Sequence, residues 1–99
     1  MRFYKRGDSV QYGYTLNEFY EMLDLMGIVD DDFNLIQYLI SKGEIDENGK
    51  IIGNTYGLAK ITDRTNKGLF NVIEETYIFI PAIGIRRFIK EMTEKRLNT

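Results

Sequence analysis

The chain contains no cysteine, no histidine and a single proline, Pro81, among its 99 residues. Without cysteine there are no disulfides and no thiol nucleophile. Without histidine there is no imidazole acid or base, and zinc sites with the usual ligands are excluded. Long apolar runs are missing too: the stretch from Tyr77 to Ala82 falls far short of the ~20 residues that span a bilayer, and Met1 to Tyr14 carries no apolar signal core. These absences predict a cytoplasmic protein with no membrane partner, no metal and no cofactor. Internal repeats and Pro/Ser-rich linkers are absent as well.

Hydrophobic residues make up 43% and the net charge is −2, which at this length describes one domain that buries roughly 65% of its unfolded surface. The small net charge hides a segregation. Met1 to Gly13 carries +2, Tyr14 to Gly49 carries −8, Lys50 to Ile73 carries +3 and Glu74 to Thr99 carries +1. An acidic first half and a basic second half can steer a charged partner.

Thr15 and Glu18 form the T-x-x-E capping box that opens a helix. Leu16, Phe19, Tyr20, Leu23 and Met26 recur at helical spacing before Gly27, which predicts a helix over residues 16–26. Asp30, Asp31 and Asp32 precede Phe33, Ile36, Leu39 and Ile40. This pattern predicts a second helix capped by the aspartates, closed at Lys42-Gly43, with Asn34, Gln37, Tyr38 and Ser41 outward. Ile45 and Ile51-Ile52 flank Asn48-Gly49 as a hairpin. The polar run from Thr62 to Gly68 reads as a loop, and Leu69–Ile73 and Tyr77–Ile80 read as a second antiparallel pair. A last helix is expected over about Ile85 to Arg96, with Phe88, Ile89 and Met92 inward. Helix, helix, hairpin, hairpin, helix is the order of a small α+β winged helix-turn-helix domain, residues 14–99, preceded by a basic arm, residues 1–13.

From Tyr14 to Met92 the residues resemble the C-terminal KilAC domain of phage antirepressor proteins. The resemblance runs through Tyr14-Thr15, Leu23 to Ile28, and Phe33 to Leu39. It continues in Lys42-Gly43-Glu44-Ile45, Asn48-Gly49-Lys50 and Lys67-Gly68-Leu69-Phe70-Asn71-Val72. It ends in Ile80 to Ile89, which is similar to the family's Thr-Pro-x-Gly-Arg segment before its terminal helix. Two features depart from a helix-turn-helix pattern: Phe19 stands where the supporting helix commonly has Ala, and the second helix starts with three aspartates. The resemblance implies phage or prophage gene control, by relieving repression or binding DNA, in the cytoplasm of a host bacterium.

Two partners follow. For DNA, Asn34, Gln37 and Tyr38 are placed to read base edges, and Lys50, Lys60, Arg64 and Lys67 to contact phosphates, with Arg2, Lys5 and Arg6 as a basic arm around Phe3 and Tyr4. For a protein such as a DNA-binding repressor, the acidic segment offers Asp24, Asp30, Asp31, Asp32, Glu44, Asp46 and Glu47 to a basic surface. Tyr4, Tyr12, Tyr14 and Tyr56 are candidate interface aromatics. A homodimer through Phe88, Ile89, Met92 and Leu97 is a further option. No nucleophile–base pair or phosphate loop is present, so binding rather than catalysis is expected.

Overall fold

A computed structural model describes residues 2–6, 8–66, 68 and 71–97. The elements are β1 (Arg2–Arg6), β2 (Ser9–Thr15), α1 (Leu16–Leu25), α2 (Leu35–Ser41), β3 (Ala59–Asn66), β4 (Val72–Pro81) and α3 (Ala82–Leu97). The four strands form one antiparallel sheet in the order β1-β2-β4-β3. The α+β class is as expected, whereas the element order is not.

Three readings need correction. Residues 2–15 are not a free arm but an antiparallel hairpin, with Arg6 paired to Ser9 and Arg2 to Gly13. Phe, Tyr and Val favour strands, and the Gly-Asp pair between the two runs is a short-hairpin signal. The hairpin expected around Asn48-Gly49 is reduced to a single bridge, Ile45 to Ile51. Its turn is instead organised by Asp46, whose carboxylate accepts from the N–H groups of Asn48 and Lys50. Finally, the run from Thr62 to Asn66 is strand rather than loop. It pairs with β4, which continues unbroken through Glu74, Glu75 and Thr76. Polar side chains on the two facing strands satisfy one another across the ladder, so polar residues suffice there: the Thr62 and Thr76 hydroxyls lie 3.1 Å apart and Tyr77 donates to Asp63. The expected strand residues Leu69 and Phe70 lie outside the described residues.

The helices follow their local signals more closely. The capping box is formed in full: the Glu18 N–H donates to the Thr15 hydroxyl and the Thr15 N–H to the Glu18 carboxylate. Gly27 closes α1 at φ 67°. Leu16, Phe19 and Leu23 are buried, but Met26 is exposed because the helix ends one residue earlier. α2 does not begin at the aspartates. Asn34 caps it, accepting from the Gln37 N–H at 3.1 Å, so Leu35 and Leu39 turn inward while Ile36 is left exposed. α3 starts three residues early, directly after Pro81.

The core is an aromatic cluster around Phe88, which is fully buried. Phe19 meets it edge-on at 5.1 Å, Tyr38 at 5.4 Å and Phe33 at 6.4 Å, while Tyr56 lies tilted against it at 5.6 Å. Edge-to-face contacts of this kind add about 0.5–1.5 kcal/mol each beyond their area. Ile89 and Met92 pack against the same cluster. A side chain at Gly84 would collide with the Tyr56 carbonyl, so glycine lets the loop over residues 53–57 lie against α3. The Arg87 guanidinium then donates to the Thr55 carbonyl and the Tyr56 hydroxyl to Glu91.

β2 and β4 touch only over Gly13–Thr15 and Phe79–Pro81. Because they run antiparallel, β1–β2 leaves this junction in one direction and β3–β4 in the other. The result is long: principal extents are 56 × 31 × 25 Å and the radius of gyration is 15.2 Å, against about 13 Å for an ordinary domain of this size.

Candidate functional site

The residues placed at DNA have mixed fates. The side-chain oxygen of Asn34 is used in capping. Tyr38 is half-buried against Phe33 and Phe88, with the Lys42 and Lys95 ammonium groups 5.5 and 5.2 Å from its ring. Gln37 stands exposed on α2, Lys50 on the Asp46 turn and Lys60 on β3. Arg64 pairs with Glu74 of the facing strand at 2.7 Å, both side chains in solvent. Lys67 lies outside the described residues. None of these groups lines the groove formed by Thr15, Leu16, Asn17, Ile36, Tyr77 and Ile78. It joins α2 to the stretch of β4 that pairs with Lys60. The β3–β4 hairpin has as many acidic as basic residues, Lys60, Arg64 and Lys67 against Asp63, Glu74 and Glu75.

The acidic set also divides. Glu44 is only 5% exposed, and its carboxylate accepts from the Thr55 N–H. Its side chain presses on Gly53, where a Cβ would not fit. Asp46 holds its own turn through its carboxylate. Those two carboxylates build loops rather than a binding face. Asp24, Asp30, Asp31, Asp32 and Glu47 are exposed, and among the described residues no ion pair engages them.

The connection from α1 to α2 adds what charge counting missed. Leu25 is 88% and Met26 59% exposed, immediately after Asp24 and just before the turn that leads to the three aspartates. The connection thus exposes two large apolar side chains and, between Asp24 and Asp32, four carboxylates. The sequence signal for it was the position of Gly27: a helix closed there by a left-handed residue has its last turn, with Leu25 and Met26, beyond the core. Of the candidate aromatics, Tyr56 is buried and its hydroxyl is held by Glu91. Burial first, and that hydrogen bond second, push its pKa well above the ordinary tyrosine value. Tyr12 remains exposed.

Comparison with protein-family models, curated proteins and solved structures found no match to this chain. Among the described residues, no group of three or more acidic side chains is arranged to hold a metal ion, and no helix is long and apolar enough to cross a membrane.

Proposed function

We propose that this chain is a non-catalytic regulatory binding protein of the antirepressor type, whose partner is a DNA-binding protein held by the α1–α2 connection. The observation that carries this reading is the exposure of Leu25 and Met26 beside Asp24, Asp30, Asp31 and Asp32. Apolar side chains at the centre of a contact supply affinity, while surrounding charge selects a basic partner and speeds its capture. The DNA-contacting face of a repressor is basic and offers apolar contacts to thymine methyls, so it has the complementary chemistry. Direct DNA binding draws less support, because Asn34 and Tyr38 are occupied structurally and the aspartates flanking α2 would face phosphates.

The test is a release assay with purified helix-turn-helix repressors held on labelled operator fragments. The chain should release its cognate repressor from DNA. Changing Asp30, Asp31 and Asp32 together to Asn should slow association about tenfold at low salt. Leu25→Ser with Met26→Ser should cost roughly 2 kcal/mol of binding. Unchanged release by both variants would refute the assignment. Retention of DNA by the chain itself at about 50 mM salt, weakened at about 200 mM and lost in Lys60→Ala with Arg64→Ala, would replace it with direct DNA binding.

A further inference from the structure

A second surface lies on the β1–β2 hairpin, and its chemistry is opposite to that of the α1–α2 connection. The register pairs Phe3 with Tyr12 and Lys5 with Val10. Side chains alternate along a strand, so Phe3, Val10 and Tyr12 stand on one face. All three are exposed, Phe3 at 65% and Tyr12 at 53%, and the two rings meet at 6.0 Å, tilted by 48°. Among the described residues, no element covers them. By the same alternation Lys5, paired with Val10, is placed on this face and Arg2 and Arg6 on the opposite one, and the hairpin's one acidic residue is Asp8.

We propose that this face binds single-stranded nucleic acid, with Phe3 and Tyr12 as the stacking platform and Lys5, at the next register position on the same face, as the phosphate contact within the hairpin's positive field. Exposed aromatics on a cationic ribbon satisfy both requirements of such binding: a π surface for unstacked bases and positive charge that tracks the backbone. Duplex DNA offers the charge but not the free base faces. Two other occupants fit the hairpin worse. Antiparallel pairing of two β1 edges about Tyr4 would set Arg2 opposite Arg6 twice, a like-charge arrangement that disfavours a second copy. A lipid surface would require an apolar tip, whereas the residues around the turn are Lys5, Arg6, Asp8 and Ser9. This inference does not rest on the α1–α2 reading, since the two surfaces share no residue.

The experiment is fluorescence anisotropy of the full chain with labelled oligothymidylate and oligouridylate of about 20 nucleotides, long enough for a stacking groove. A duplex of the same length and anionic phosphatidylserine vesicles serve as competitors. Single strands should bind, and affinity should fall about threefold between about 50 and 200 mM salt if Lys5 neutralises one phosphate. Phe3→Ala and Tyr12→Ala should each weaken binding about fivefold or more, while Tyr12→Phe keeps the π face and should stay within about twofold. Phe3→Leu with Tyr12→Leu retains strand-compatible apolar bulk without the rings and should also lose binding. Far-UV circular dichroism checks that each variant is folded. The proposal is overturned if single strands fail to bind at the lowest salt, if duplex binds equally well, or if folded ring-less variants bind unchanged. It is also overturned if vesicles outcompete the oligonucleotides, or if the face instead supports a dimer that the double alanine variant dissolves.

Discussion

The centre of the molecule and the two hairpins that leave it are built on opposite plans. In the centre, one ring, Phe88, touches aromatic partners from α1, α2 and both neighbouring loops. In the hairpins, most side chains beyond the β2–β4 junction are in solvent, and burial along β4 is complete only at its last three residues. The teaching is that the centre carries the stability and the hairpins carry surface. The hairpins differ in turn from each other. β3–β4 satisfies its own polar groups across the ladder, Arg64 with Glu74 and Asp63 with Tyr77. β1–β2 leaves Phe3 and Tyr12 outward on a hairpin whose first strand is basic.

The strongest way to break this contrast is Phe88→Ala. Truncating a fully buried ring should cost about 3–5 kcal/mol, a large share of a stability that is about 5–15 kcal/mol for ordinary domains. Chemical denaturation should show it, and a loss under 1 kcal/mol, about what a surface change costs, would mean the cluster is not the keystone. Tyr56→Phe probes the edge of the same cluster. Removing the hydroxyl leaves Glu91 without its donor, a cost of about 1 kcal/mol near neutral pH. A tyrosine whose pKa is raised on folding holds its proton to higher pH than the unfolded chain does. Its stabilising contribution is therefore complete below about pH 10 and is lost as pH rises above that value. Comparing alkaline denaturation of the two proteins isolates this contribution: the wild type should lose stability more steeply above pH ~10. The smallest effect belongs to the hairpin. Arg64→Ala removes an ion pair whose partners are both in solvent, and should change stability by about 0.2–1 kcal/mol at low salt and less at high salt. A larger loss would mean that β3–β4 is coupled to the core more tightly than its exposure indicates.

Local signals in the chain were read most reliably where one short motif decides the backbone. Thr15 with Glu18 and Gly27 bracket α1, and Lys42-Gly43 close α2, because caps satisfy orphan N–H and carbonyl groups within a few residues. Where two local devices compete, the reading failed. Asn34 outcompeted Asp30, Asp31 and Asp32 as the cap of α2, and this turned Ile36 outward. Glu44 and Asp46 count as acidic residues in any charge sum, yet their carboxylates are spent on backbone N–H groups of nearby loops. Gly7-Asp8 was the unread signal, a two-residue connection between strand-favouring runs.

Sequence by itself determined the α+β class, the extent of α1, the inward face of α3 and the segregation of charge, because helical periodicity, capping and residue identity are properties of neighbouring positions. Only the tertiary structure decided which strands pair, which aromatics are spent in the core and which remain outside. Strand pairing joins residues as distant as Gly13 and Pro81, and exposure depends on where a helix end such as Leu25-Met26 meets, or fails to meet, the packed centre. Those outcomes follow from the competition of all apolar surfaces for one small core, which no local window contains.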